Sequence, residues 1–221
     1  MAHFSLTADD RDRIAAAVTQ AERGTDGEIV TIVAAQSDRY NDVPLQFAVL
    51  AMLLVTALAA LEWHWLLIGA DAWAEPDFAR ALLVLLVAQT VVFLVVRYLV
   101  GWAPVRRALT PRATRRRRVR RRALLCFKVG AENRTQAKVG ILLYLSTDER
   151  MAEIVADAAI HRAVPAERWG DAMAALVAHV REGRSGDGMV AAVAAIGAIL
   201  SETFPKTADD VNELPDRVIE L

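Results

Sequence analysis

The stretch Val139-Gly140-Ile141-Leu142-Leu143-Tyr144-Leu145-Ser146 decides the fold class. It is apolar on both alternating faces and short, so it reads as a strand buried on both sides in a sheet covered by helices. Thr147-Asp148-Glu149-Arg150 reads as a turn, and residues 151–160, MAEIVADAAI, as a second strand. A counterpart lies far upstream, where the turn Thr25-Asp26-Gly27-Glu28 leads into residues 29–35, IVTIVAA, which are β-branched and apolar on both faces.

Helices flank these strands. Residues 5–23 carry Ile14, Ala17, Val18 and Ala21 at helical spacing, with Thr7 as N-cap, Asp9, Asp10 and Asp12 at the positive end and Gly24 as the stop. A helix over 168–182 stops at Gly183, and another runs from an Asp187 cap through Thr203, where Pro205 forbids continuation. The tail from Lys206 onward is acidic and loop-rich. The upstream helix and strand are too little for a core. Joined to the downstream pieces they make an α/β domain of ordinary size, assembled from two separated segments.

The separation is apolar. Residues 45–69, LQFAVLAMLLVTALAALEWHWLLIG, and 78–102, FARALLVLLVAQTVVFLVVRYLVGW, are each long enough to cross a hydrocarbon core of about 30 Å. They explain why 55% of the 221 residues are hydrophobic, against about 45–50% in a typical soluble domain. Trp63, Trp65 and Trp102 suit the interfacial belts, and Glu62 falls beside the first two. Gln89 reads as interhelical glue toward Thr56. The short acidic link over 70–77 makes the two runs a hairpin with both flanks on one side.

A net charge of −1 hides a division. Residues 104–122 hold 10 arginines and no acid, whereas 1–44 carries 8 acids against 4 bases and 123–221 carries 15 against 10. So strong a basic block beside a span marks the cytoplasmic side. The expectation is a two-pass inner-membrane protein with both termini and the soluble domain in the cytoplasm. Arg115, Arg116, Arg117, Arg118, Arg120, Arg121 and Arg122 are expected to meet anionic lipid head groups at the bilayer. Nucleic acid is not expected as a partner, since the acidic domain repels a polyanion. The expected organisation is a first domain segment over 1–44, a transmembrane hairpin over 45–103, a basic juxtamembrane segment over 104–122 and a second domain segment over 123–221.

Several of these motifs resemble the TPM domain family. Thr25-Asp26-Gly27-Glu28-Ile29-Val30 is similar to its TG-x-E-I-V strand entry, and Val139–Ser146 with Asp148-Glu149-Arg150 resembles its GVLLLVS strand. Glu153-Ile154-Val155-Ala156-Asp157 resembles the next strand, Trp169 the opening of a helix and Gly186-Asp187-Gly188 the opening of another. Asn212-Glu213-Leu214-Pro215-Asp216 resembles the tail of a membrane-anchored bacterial branch whose domain is split by a transmembrane hairpin. The resemblance implies a three-layer α/β/α sandwich and, for some members, weak acid phosphatase activity or calcium binding. Two departures weaken that chemistry: Ala137-Lys138-Val139 stands where soluble members often carry Asp-Asn, and AAIHRAVPAERW, residues 158–169, replaces a glycine-rich segment.

The residues themselves offer limited chemistry. Asp26, Glu28, Asp148 and Asp157 are the candidate metal ligands, as carboxylates near strand ends suited to Ca²⁺ or Mg²⁺, with Glu149 beside them. The competing reading is that they are turn residues and solvated acids, since no calcium-loop spacing is present. Asp157 interrupts an apolar strand and needs a partner if buried; His161, four residues on, is a candidate. Ser146 ends a strand without an identifiable base, and Cys126 is the single cysteine, without a resolving thiol. No catalytic residue and no cofactor is assigned. The expected function is a non-enzymatic interaction or assembly module for an unidentified protein partner, and the alternative is a weak divalent-metal-dependent acid phosphatase.

Overall fold

The computed structural model describes residues 6–61, 78–130, 139–207 and 214–221. In chain order its elements are α1 (Ala8–Glu22), β1 (Glu28–Ala34), α2 (Asp42–Leu61), α3 (Phe78–Gly101), α4 (Ala103–Leu109), α5 (Arg112–Gly130), β2 (Gly140–Ser146), β3 (Met151–Ala156), α6 (Ala158–Ala163), α7 (Ala166–Arg181), α8 (Ser185–Thr203) and β4 (Ile219–Glu220). They form two compact units, Met1–Asp38 with Ala113–Leu221, and Arg39–Arg112.

The first unit is a mixed α/β fold around a four-stranded sheet of order β3-β2-β1-β4. β1 and β2 pair in parallel from Glu28↔Gly140 to Ala34↔Ser146, and every residue of both strands is buried. β3 runs antiparallel to β2, and β4 parallel to β1. Parallel neighbours cannot be joined by a tight turn and need a crossover that covers one face. α5 supplies that cover: its buried Val119, Ala123 and Phe127 meet Val30, Ile32, Ala34, Leu142 and Tyr144. α1, α7 and α8 cover the other face, where Ile14, Val18, Leu176, Met189, Val193, Ile196 and Leu200 join Ile29, Val33, Ile141, Leu143 and Leu145. The result is the expected helix–sheet–helix layering.

Local signals behave as their chemistry dictates. Thr7 caps α1 in a reciprocal box: its Oγ1 accepts from the Asp10 N–H at 3.1 Å and its own N–H donates to Asp10 Oδ2 at 3.1 Å. The turn over 147–150 closes with Arg150 in the left-handed region at φ 52°.

Three boundaries differ from the sequence expectation. The arginine-rich residues 104–122 are not one juxtamembrane segment, because α5 is continuous from Arg112 to Gly130 and Val119 and Ala123 lie in the core; the domain therefore resumes at Ala113 rather than at 123. It also leaves at Asp38 rather than at residue 44, since Tyr40 and Val43 pack into the other unit. The strand expected over 151–160 ends at Ala156, where Asp157 becomes the N-cap residue of α6. Within the loop-rich tail the Leu221 N–H donates to Val33 C=O and the Ala35 N–H to Leu221 C=O, extending the β4–β1 pairing.

The second unit is an antiparallel pair of long helices. Val43 and Phe47 of α2, with Tyr40, pack against Val96 and Val100 of α3 and Val105 of α4. Farther along, Gln89 Nε2 donates to Thr56 Oγ1 at 2.7 Å, the contact expected from the sequence. Leu50, Leu53, Leu54 and Leu58 of α2 and Leu82, Leu83, Leu86 and Leu99 of α3 are exposed. By length and composition three described helices suffice to cross a membrane: α2, α3 and α8. α8 differs from the others because half of its apolar window is buried, against 17% for α2 and none for α3. Glu62, Trp63, Trp65 and the link over 70–77 lie outside the described residues.

α8 approaches α1 closely at Gly197, where an added Cβ would sit 2.5 Å from Ala21 Cβ. Gly170 in α7 has open space at the same test. Gly197→Ala is therefore expected to destabilise the unit by about 1–3 kcal/mol through overpacking, while Gly170→Ala is expected to stabilise it by about 0.5–1 kcal/mol through helix propensity. Thermal unfolding of the two variants checks the opposite signs.

Candidate functional site

The sheet register sorts the expected metal ligands into two groups. Glu28 pairs with Gly140 at the start of the parallel ladder, and the Asp157 N–H donates to Gly140 C=O at 3.0 Å. Asp26, Glu28 and Asp157 thus share one end of the sheet. Asp148 belongs to the opposite end, where its N–H donates to Ala35 C=O at 3.0 Å. Strands of seven residues separate the two ends by about 20 Å. Asp148 therefore cannot complete a site with the other three. Among the described residues no group of three His, Cys, Asp or Glu side chains is arranged to hold a metal ion.

At the first end the carboxylates hold backbone together. Asp157 is buried, and its Oδ2 accepts from the Gly140 N–H at 2.9 Å, with Asp157 C=O accepting from the His161 N–H as α6 begins. The partner that burial of this residue requires is a main-chain amide. Glu28 is buried, and its Oε2 accepts from the Leu214 N–H at 3.3 Å, tying the tail to the sheet. Asp26 Oδ1 accepts from the Thr207 N–H at 2.7 Å, and Thr25 Oγ1 donates to Phe204 C=O at 2.6 Å. The turn that opens β1 is in this way fastened to the end of α8.

Glu22, which sequence reasoning passed over, belongs to the same end. It is buried, its Oε1 accepts from the Ile29 N–H at 2.7 Å, and its Oε2 has no hydrogen-bond partner. Burial pushes its pKa up to about 8; the Ile29 amide opposes this, and the nearby charges of Glu28 and Asp216 add to it. The only sequence signal was an acid at the last position of an amphipathic helix, where a negative charge meets the negative helix end.

The opposite end is closed by Glu149. Its carboxylate accepts from the Ser37 N–H at 3.1 and 3.3 Å and from the hydroxyl of Ser146, while Ser37 Oγ and Tyr144 Oη lie 3.0 Å apart. Ser146 and Tyr144 are wholly buried, so Ser146 is a connector inside the domain. Burial also raises the Tyr144 and Cys126 pKa values.

The arginines of α5 divide by helix face. Arg118 ion-pairs with Asp38 at 2.9 Å, Arg120 lies 3.6 Å from Glu153, and Arg115 has a buried Nε without a partner. Arg116, Arg117, Arg121 and Arg122 are exposed. The basic block is thus partly a domain surface facing its own acids.

The protonation of Glu22 has a consequence for stability. The unfolded chain releases this proton near pH 4.5, whereas the folded unit holds it to about 8. Its contribution is full below the lower value and is lost as pH rises through the upper one. Glu22→Gln keeps an acceptor for Ile29 without the titration. The variant is expected to show a flatter stability–pH profile and a higher melting temperature than the parent above pH 8; an unchanged profile contradicts the assignment.

Comparison with known proteins follows the same lines. Among curated proteins none matches this chain. The NMR structure of BA42 protein from the psychrophilic bacterium Bizionia argentinensis is similar with a TM-score of 0.57 at 18% identity, covering 98% of this chain and 95% of that one. This likeness is one of fold. Residues 113–199, from the sheet-covering α5 into α8, match the family model of the TPM domain.

Proposed function

We propose that the chain is a two-pass protein of the bacterial inner membrane that presents a split TPM domain to the cytoplasm as a non-enzymatic interaction or assembly module. The observation that carries this reading is the outer surface of the α2–α3 pair, a nearly continuous coat of exposed leucine and valine. Helices of 20 and 24 residues are about 30–36 Å long, which matches a hydrocarbon core of about 30 Å. The Gln89–Thr56 bond satisfies polar side chains that lipid would leave bare. Arg106, Arg107, Arg112, Arg117 and Arg121 follow within about 20 residues of α3, the interval over which positive charge sets orientation. The exposed ones among them are placed to meet anionic head groups.

The interaction role is supported by what the acids do. Asp157, Glu28, Asp26 and Glu149 each accept from a main-chain amide, which gives them structural work in the sheet ends. The second reading, a weak phosphatase assisted by Ca²⁺ or Mg²⁺, is favoured by one observation: Asp26, Glu28 and Asp157 share a sheet end.

Two measurements test these readings. In a Cys126→Ser background, a membrane-impermeant maleimide applied to spheroplasts is expected to label Ala74→Cys, while Ala163→Cys labels only after permeabilisation. The reverse pattern contradicts the orientation, and extraction of the protein by alkaline carbonate contradicts the spans. With p-nitrophenyl phosphate and millimolar Mg²⁺ or Ca²⁺, no turnover above that of Asp157→Asn is expected. Metal-dependent turnover lost in that variant establishes the phosphatase instead.

A further inference from the structure

β3 is an edge strand. Its ladder with β2 is antiparallel, and the Asp157 N–H points to Gly140. In such a ladder peptide groups alternate in direction. Met151, Glu153 and Val155 therefore face β2, while Ala152, Ile154 and Ala156 turn their N–H and C=O groups outward. This edge is the floor of an open groove of about 600 Å³. One rim is Arg116 and Arg120 of α5, and the other is Trp169, Met173 and Val177 of α7. Arg150 stands at one end and His161 at the other.

We propose that this groove binds an extended acidic segment of a partner protein, which adds to β3 as a fifth strand. The inference rests on the interaction reading above and names its surface. An added strand continues the pleat, so its side chains alternate between the two helix layers. Those on the α5 side meet Arg116 and Arg120; those on the α7 side meet Trp169, Met173 and Val177. The groove thus selects acids at every second position and apolar residues between them. Glu153 is the acid already there, its side chain largely buried beside Arg120, and burial raises its pKa while Arg120 and Arg116 oppose the shift. A second copy of this chain fits poorly, since edge-to-edge pairing brings the two arginine rims together. The chain's own tail is engaged elsewhere, with β4 on β1 at the far edge.

The test uses the full-length protein in detergent micelles and a capped fluorescent hexapeptide alternating valine and glutamate. Saturable binding is expected. It should weaken at least about tenfold when alternate peptide nitrogens are methylated, when lysine replaces glutamate, or when the same residues are rearranged into a valine block and a glutamate block. Arg116→Ala with Arg120→Ala is expected to weaken binding to a similar degree, with circular dichroism confirming that α5 remains folded. The peptide-side comparisons hold even if that variant misfolds. Absence of binding up to about 1 mM, or equal affinity for the methylated or block peptide, overturns the strand-addition site. Displacement by short-chain phosphatidic acid at the peptide's own concentration overturns it too, in favour of a head-group site. None of these outcomes depends on phosphatase turnover, so failure of the groove and failure of the interaction reading are separable.

Discussion

The parallel pairing of β1 with β2 is the constraint from which the rest of the molecule follows. Both strands are buried over their whole length, so both faces of the sheet need helical cover. Parallel strands also need a crossover, and here that crossover runs from residue 35 to residue 139. It contains a complete second unit before it delivers α5 to the sheet. A pair of antiparallel helices returns the chain close to where it left, which is what permits such an insertion. Arg118 of the returning helix ion-pairs with Asp38 of the departing chain, so the two edges of the interruption meet within the domain.

The ends of the sheet show a second regularity. Strand and turn amides that find no partner in the ladder are taken up by carboxylates: Gly140 by Asp157, Ile29 by Glu22, Leu214 by Glu28 and Ser37 by Glu149. A buried amide left unpaired costs about 1–3 kcal/mol, and a carboxylate makes a stronger acceptor than a neutral group. Acids that look like ligands in sequence are in this way fasteners between elements distant in the chain. Glu22 is the exception within the group, since one of its oxygens remains unpartnered and favours the protonated form.

How much of this was legible depends on the kind of signal. β1 and β2 announce themselves, because uninterrupted short apolar runs have few other uses. The Gln89–Thr56 contact was readable from polar side chains set in the middle of two apolar runs. The need of Asp157 for a partner if buried was readable, but neither its burial nor the partner was, since Gly140 becomes its neighbour only through the antiparallel turn at 147–150. That same turn sends Asp148 to the far end of the sheet, which no spacing along the chain reveals. α5 was hidden for a different reason. Val119, Ala123 and Phe127 recur at i, i+4 and i+8, a sufficient core stripe, but the surrounding arginines read as a membrane signal and masked it. β4 is only two residues long, and its place was set by a neighbour rather than by its own pattern.

The central claim is that segments on either side of the inserted unit make a single cooperative domain. The most direct measurement replaces residues 39–112 by a short Gly/Ser linker and follows unfolding by far-UV and near-UV circular dichroism. One coincident, sigmoidal transition by both probes is expected. A gradual melt without near-UV signal, accompanied by binding of a hydrophobic dye, contradicts the claim and makes the inserted helices part of the fold itself.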